Sequence, residues 1–227
     1  MSIAPQPPFT NNVSIILTCT VRPQSIKGVF QNNPKSRIQT YLKSFNRWLN
    51  ETPFKIVIVE NSGYTFPELD SEKQTFQDRL DVITFNEKTN KGSRYLHNNT
   101  SKGASEVYAI NYAYHLSRLV KTSNFLIKVT GRFFIPQFYE FLSNYDLNTY
   151  NGLRQQNENR CEIVGSHIKN FNTIFDIYMT INGKFDSHVE NVYRYRLKRL
   201  VKKVLVCKRF NIEPTQRGGV KQVYSFL

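Results

Sequence analysis

The sequence predicts an α/β fold: a mostly parallel sheet flanked by helices on both faces. Three observations carry this expectation. Short β-branched runs alternate with longer amphipathic stretches, in the order strand, helix, strand, strand, helix, strand. The 227 residues suffice for one large core. Hydrophobic residues make up 40% of the chain, with 17 Phe and 13 Tyr, which excludes a disordered polymer. No linker rich in Pro, Gly or Ser divides the chain, so a single domain over 1–227 is expected.

The first strand is Val13-Ser-Ile-Ile-Leu-Thr-Cys-Thr-Val21, closed by Arg22-Pro23 because proline biases its predecessor away from helix. From Ser36 to Asn50, Ile38, Tyr41, Leu42, Phe45, Trp48 and Leu49 recur at intervals of three and four, a helical stripe with Ser36 as its N-cap. Phe54–Val59 forms a second strand, stopping at Glu60-Asn61-Ser62-Gly63, and Asp81–Phe85 a third. Residues 86–103 are polar and read as a loop. A helix follows over 104–120, with Gly103 as cap and Glu106 reaching back to it. Phe125–Val129 is the fourth strand and ends at Thr130-Gly131-Arg132.

Beyond it the pattern loosens. A short helix is expected over 137–144, and extended segments around 161–165 and 173–181. A last helix over 188–204 would turn Val189, Val192, Tyr193, Leu197, Leu200, Val201 and Val204 inward. Arg217-Gly218-Gly219 reads as a loop.

The formal charge is +14, which calls for a polyanionic partner or an anionic ligand. Nucleic acid is the first candidate, but the basic residues are spread along the chain, and no zinc knuckle or RNP-like motif occurs. The run Arg194, Arg196, Lys198, Arg199, Lys202, Lys203 reads first as a solvated helix face. An anionic membrane surface or nucleic acid is its functional alternative. Cys19, Cys161 and Cys207 form no CxxC pair and read as reduced, structural thiols. Residues 1–12 have no signal pattern, and no apolar run approaches the roughly 20 residues of a membrane span. The sequons at Asn12, Asn50, Asn98 and Asn99 are therefore read as chance, and a soluble cytoplasmic protein is expected.

In an open parallel sheet, ligands bind where the loops leave the carboxyl ends of the strands. Those loops bring Thr20, Val21 and Arg22, then Glu60, Asn61 and Ser62, then Arg94, Lys102 and Gly103, and finally Thr130, Gly131 and Arg132. The set suits a nucleotide diphosphate. Glu60 and Asn61 would bond a base or ribose, and the helix start near Gly103 would receive a phosphate. Lys102 and Arg132 would supply charge. The plainer alternatives are that Glu60 and Asn61 close a turn, that Lys102 is solvated, and that Arg132 pairs with a carboxylate across the sheet.

Ser14-Ile-Ile-Leu-Thr-Cys-Thr-Val21, Val57-Ile-Val-Glu60-Asn61-Ser62-Gly63, and Asn99-Thr-Ser-Lys102-Gly103-Ala-Ser-Glu106 followed by Phe125–Arg132 resemble the opening of a GT-A glycosyltransferase. The likeness is strongest to short enzymes of large DNA viruses of algae and amoebae and to bacterial surface-glycan transferases. It covers about residues 13–136 and rests on order and spacing. It implies a nucleotide-sugar-binding half over 13–136 and an acceptor-side half over 137–227. The implied donor is a UDP- or GDP-sugar, the acceptor a glycan or glycoprotein, and the activity that of a hexosyl- or pentosyltransferase.

One departure stands out. Where the family places Asp-x-Asp to hold Mn or Mg, this chain has Thr130-Gly131-Arg132, and no Asp-x-Asp occurs anywhere. Such ions need oxygen ligands, so a metal-independent site with Arg132 neutralising the diphosphate is expected, a metal on Asp186 or another carboxylate remaining the alternative. Phe185-Asp186-Ser187-His188-Val189-Glu190 resembles the stretch that carries the family's base. Glu190 is the first candidate, before Asp186 and His188; capping by Asp186 and dipole complementation by Glu190 are the structural alternatives. A nucleic-acid-binding protein and an inert GT-A-like subunit remain as other readings.

Overall fold

The computed structural model describes residues 12–23, 30–96, 101–200, 203–219 and 221–227. The proline-containing opening, the sequons at Asn98 and Asn99, and Val201 and Lys202 of the expected last helix lie outside them.

β1 (Val13–Cys19) is buried along its whole length. α1 (Pro34–Glu51) follows and turns Arg37, Tyr41, Phe45, Trp48 and Leu49 inward. It begins earlier than Ser36. Asn33 is the N-cap, its Oδ1 accepting from the amides of Lys35 and Ser36 at 2.9 and 3.4 Å, and Pro34 takes the first helical position, where a missing N–H costs nothing. β2 (Lys55–Glu60), a short α2 (Asp70–Thr75) and β3 (Leu80–Thr84) come next.

The expected helix over 104–120 is in fact two. α3 (Lys102–Leu116) is capped by Ser101, whose Oγ accepts from the Ala104 amide, so Gly103 is not its cap. Ser117 breaks the helix and caps α4 (Arg118–Lys121), accepting from the amides of Leu119 and Val120. β4 (Phe125–Thr130) and α5 (Phe138–Ser143) lie where the periodicity put them.

The second half adds β5 (Gly152–Arg154), β6 (Ile163–His167), α6 (Phe171–Ile174), the small hairpin β7 (Thr180–Ile181) and β8 (Lys184–Phe185), α7 (Val189–Arg199), β9 (Val204–Val206), and a hairpin of β10 (Asn211–Gln216) and β11 (Val223–Phe226). Two expectations change here. Residues 173–181 are not one extended segment, because Phe171, Ile174 and Phe175, spaced by three and four, bury together as a helical turn. α7 also ends before 204: Leu200 is its C-cap, and Val204 opens β9, which pairs with β5.

The seven-stranded sheet has the order β3-β2-β1-β4-β6-β5-β9. β3, β2, β1 and β4 are mutually parallel, β6 is antiparallel to both of its neighbours, and β9 is parallel to β5. Side chains alternate between faces. Ile15, Leu17, Ile127 and Val129 pack with α1 and α5, while Ile16, Val57 and Leu126 pack with α3, α6 and α7. The chain walks outward from β1 to β3 and then restarts on the other side of β1 with β4. The β1–β4 boundary is therefore the switch point where a crevice opens at the carboxyl ends. Among the described residues, no helix is long and apolar enough to cross a membrane.

Candidate active site

Gly131 fixes the geometry at the switch point. Its N–H donates to the Thr18 carbonyl at 2.8 Å, and a Cβ on it would stand 2.8 Å from that same oxygen. Only glycine lets the end of β4 lie this close to β1, and Arg132 follows directly.

Arg132 is 8% exposed. One of its Nη groups donates to Gln31 Oε1 and the Gln216 carbonyl at 3.2 and 3.3 Å, and the other reaches the Tyr41 hydroxyl at 3.5 Å. Arg37, on the buried face of α1, donates to the Thr20 carbonyl at 2.5 Å, to the Gln31 carbonyl at 2.8 Å and to the same Tyr41 hydroxyl at 2.9 Å. Both guanidiniums also lie over the Tyr41 ring. Among the described residues, no carboxylate forms a salt bridge with either arginine. The cross-sheet ion pair considered for Arg132 is thus not made there.

Cys19 ties this pair to the end of β2. Burial first, then the Glu60 carboxylate, push its thiol well up, while Arg37 and Arg132 pull it down. Lys102, exposed at the first position of α3, is lowered by partial burial first and by Arg37 second. Glu60, Arg37, Arg132 and Lys102 therefore share one neighbourhood around the end of β1.

Glu60 itself faces inward. It is fully buried and accepts from the amides of Val21, Ser62 and Tyr64 at 2.8–2.9 Å and from the Ser62 hydroxyl. Its carboxylate holds the β1 and β2 exit loops together, as the turn-closing alternative has it. Val21 is likewise buried, and Arg22 is exposed, its N–H on Ser62 Oγ at 2.9 Å. Asn61 bridges the loops: its Oδ1 accepts from the Thr20 hydroxyl at 2.6 Å and its Nδ2 donates to Glu87 at 3.0 Å. Glu87 also accepts from Ser105 of α3 at 2.9 Å, linking three loops of the rim. Arg94 is exposed on a 3₁₀ turn over 91–96.

A second charged cluster lies on the α3 side of the same edge. Glu106 does not reach back to cap α3. It accepts from the Thr18 hydroxyl at 2.9 Å and pairs with buried Lys128 at 2.7 Å. Burial is the largest influence on Lys128 and works to lower it, but Glu106, with Cys161 and Glu162 adding to it, holds the ammonium above the ordinary lysine range. Lys128 also donates to the Cys161 carbonyl, and the Thr130 amide to the Glu162 carbonyl. Glu162 is bound by Arg160 through two nitrogens, at 3.1 and 3.2 Å.

The start of α7 abuts the start of α3. Ser101 Oγ donates to the Ser187 carbonyl at 2.7 Å, and a Cβ on Gly103 would stand 2.5 Å from Val189 Cβ. Gly103 is there to let the two helices meet. Glu190 lies in the first turn of α7, and Arg217 spans from it, at 3.8 Å, to Glu162, at 3.6 Å. Asp186 accepts from the His188 amide at 2.7 Å and from Asn191 Nδ2 at 3.1 Å; the first bond chiefly lowers its pKa. The N-cap of α7 is His188, with no side-chain cap bond, so Asp186 closes a turn just ahead of the helix and is not the cap expected of it. His188 is largely exposed beside Ser187 and Asp186. Next to Arg217, Gly218 packs onto the Arg132 guanidinium, where a Cβ would lie 2.6 Å from Nη2.

The end of β4 offers a hydroxyl, an amide and a guanidinium, a donor set unsuited to a hard divalent cation. Among the described residues, no three His, Cys, Asp or Glu side chains gather as a metal-holding group. Arg37, Glu87, Lys128 and Glu162 escaped the sequence reading, which gave Tyr41 only a place on the helical stripe and Glu106 only a capping role. Only Arg37 left a signal: it precedes Tyr41 by four and Phe45 by eight, on the apolar stripe itself.

No protein-family model matches the chain, and no curated sequence is similar to it. Solved structures do share its fold. A protein of Desulfovibrio desulfuricans G20 described as a nucleotide-diphospho-sugar transferase aligns over 86% of this chain and 79% of its own, at 13% identity and a TM-score of 0.51. An active-site variant of LgtC aligns over 86% and 72%, at 7% identity and 0.51. A CMP:2-keto-3-deoxy-manno-octonic acid synthetase complexed with CTP aligns over 93% of each chain, at 10% identity and 0.50. The chain has a GT-A-like fold, that of nucleotide-diphospho-sugar transferases.

Proposed function

We propose that this chain is a glycosyltransferase that moves a sugar from a nucleotide-diphosphate donor to a glycan hydroxyl, with cationic side chains in place of a metal ion. One observation carries the reading. Arg37 and Arg132 are buried together at the switch point with no carboxylate partner among the described residues. A buried cation without counter-charge is costly, and a fold that keeps two of them side by side is completed by an anion. The diphosphate of a UDP- or GDP-sugar supplies that anion, and each guanidinium can grip two of its oxygens. Lys102 and the first amides of α3 add positive potential at the same edge.

As the anomeric C–O bond breaks, charge grows on the leaving diphosphate, and fixed guanidiniums stabilise that charge more than they stabilise the bound donor. The acceptor hydroxyl gives its proton to a carboxylate. The meeting of the α3 and α7 starts favours Glu190 in that role, ahead of Asp186, whose oxygens are occupied, and His188. The reading covers a glycan or glycoprotein acceptor and a hexosyl or pentosyl donor.

The test is release of UDP or GDP from a panel of their sugars by the purified chain, with and without EDTA, with CTP as the control nucleotide. Slow release that survives EDTA and vanishes in Arg132→Ala is expected. Donor binding without release would identify an inert subunit. Neither binding nor release, together with steeply salt-dependent oligonucleotide binding, would turn the reading toward nucleic acid.

A further inference from the structure

We propose that a groove on the outer face of α3, remote from the buried arginines, seats a neutral oligosaccharide. The groove has a volume of about 510 Å³ and runs between the second half of α3 and residues 172–178, which are the end of α6 and the loop after it. Tyr108, Tyr112 and Tyr178 give it aromatic walls, and Asn111, His115, Asn172 and Asp176 its polar groups. Tyr178 is 67% exposed, and Tyr95, at 44%, continues the aromatic surface edge-on to Tyr108.

The charge pattern selects the ligand. The chain carries 31 Lys and Arg, yet none of the described ones lines this groove, and with His115 neutral its one formal charge is Asp176. Nucleic acid, anionic lipid and nucleotides are repelled or unmatched here. An apolar helix would want an aliphatic floor, whereas only Leu116 and Ile177 supply one. A pyranose carries an apolar C–H face and a rim of hydroxyls. The face stacks on a tyrosine ring, and the hydroxyls bond to amide and carboxylate groups, which matches this mixture of walls.

The walls are also built. Buried Arg196 donates to the carbonyls of Ile174, Asp176 and Tyr178, pinning the loop from behind. Asn111 Nδ2 ties α3 to that loop through the Phe175 carbonyl, and Tyr112 rests on Phe85 with ring centroids 4.3 Å apart. Such a surface loses little freedom when a ligand settles on it. Tyr108 lies six residues along α3 from Lys102, about 9 Å at the helical rise, and its hydroxyl bonds to Asn90. Identifying the occupant as the acceptor glycan rests on the glycosyltransferase reading; the binding itself does not.

The experiment titrates the full chain with maltohexaose, cellohexaose, mannohexaose and chitohexaose to about 10 mM, with hyaluronan hexasaccharide as the anionic control, followed by saturation-transfer NMR. At least one neutral hexasaccharide is expected to bind, the anionic one not. Tyr178→Ala, at an exposed position, should weaken that binding about tenfold or more and leave the UDP-induced thermal shift intact. No binding by any neutral probe, or binding indifferent to both Tyr178→Ala and Tyr112→Leu, overturns the proposal. So does light scattering that finds a dimer dissociated by Tyr178→Ala, since the groove would then hold a second copy. The nucleotide shift reads the donor site separately, so either idea can fail alone.

Discussion

Replacing Arg132 by Met separates ligand binding from folding, because the structure assigns the two arginines different structural weights. Both reach the Tyr41 hydroxyl, at 2.9 and 3.5 Å, so their nearest nitrogens are at most about 6.4 Å apart. At an effective dielectric near 20 this pair repels by about 2–3 kcal/mol. Arg132's own hydrogen bonds are long, 3.2–3.5 Å, and contribute about 1 kcal/mol apiece or less. Losing the bonds and the repulsion together leaves stability within about 1 kcal/mol of the parent. Arg37 makes shorter bonds, 2.5–2.9 Å, worth about 2 kcal/mol each from a charged donor, so even with the same repulsion relieved Arg37→Met should cost about 3 kcal/mol or more.

Donor binding responds differently. A guanidinium about 4 Å from a unit charge of the diphosphate is worth about 4 kcal/mol at the same dielectric. Desolvation takes back part of this, leaving about 2.7 kcal/mol, or roughly 100-fold in affinity. With nucleotide at about 100 times the parent Kd, the parent gains about 2.7 kcal/mol and the variant about 0.4. In a chain of this length each kcal/mol moves Tm by about 2–4 °C. A parental shift of about 5–10 °C should therefore fall to about 1 °C, read by thermal denaturation with UDP, GDP and their sugars in EDTA. A variant that keeps the full shift would refute the idea that the unpaired cations exist for a diphosphate.

Three further outcomes are expected. Glu190→Gln should lower kcat at least about 100-fold while retaining the donor-induced thermal shift; equal turnover removes Glu190 as the base. Glu60→Gln should destabilise the chain by about 3 kcal/mol in urea, because a neutral amide cannot replace an acceptor that serves three N–H groups and a hydroxyl; a change under about 1 kcal/mol would contradict that role. Burial is the first cause pushing the thiols of Cys19, Cys161 and Cys207 up. The folded chain thus keeps protons that the unfolded chain loses near pH 8.5, so stability is full below that pH and declines as pH rises through it. The native thiols should resist a thiol reagent at pH 8 and react in denaturant, and prompt native reaction at any of them counts against this burial.

β1, β2 and β4 were legible because each β-branched run is buried along nearly its whole length and closed by a marker such as Pro23 or Thr130-Gly131, and α1 because its apolar residues keep a helical spacing. β5 and β9, of three residues each, are held by pairing, β5 between β6 and β9 and β9 on β5, and a three-residue run carries no period of its own. Ser36 resembled a cap, but Pro34 moved the helix start back to Asn33. The rim residues could be gathered from the ends of parallel strands, yet their orientation could not. Glu60 turns inward onto amides, and Glu106 crosses to Lys128, since each choice depends on neighbours far away in sequence. Arg37 was hidden by its type, because a basic residue in a helix is usually read as solvated even on the apolar stripe.

The arginine at the end of β4 is held from two sides by glycine. Gly131 lets the chain lie against Thr18, which sets where Arg132 begins, and Gly218 lies on the guanidinium, which limits where it ends. A preorganised cation stabilises developing charge without reorganising during the reaction, so its position should matter beyond its presence. Gly218→Ala tests this. The added methyl would stand 2.6 Å from Nη2 and must push the guanidinium aside without removing its charge. Nucleotide affinity should change by less than about threefold, because a mobile cation still meets a diphosphate in the ground state. Turnover should fall by about 10- to 100-fold, as it does when a catalytic group is misplaced by about an ångström. Equal losses in binding and turnover would mean that Arg132 only binds, and no loss in either would mean that the C-terminal hairpin does not position it.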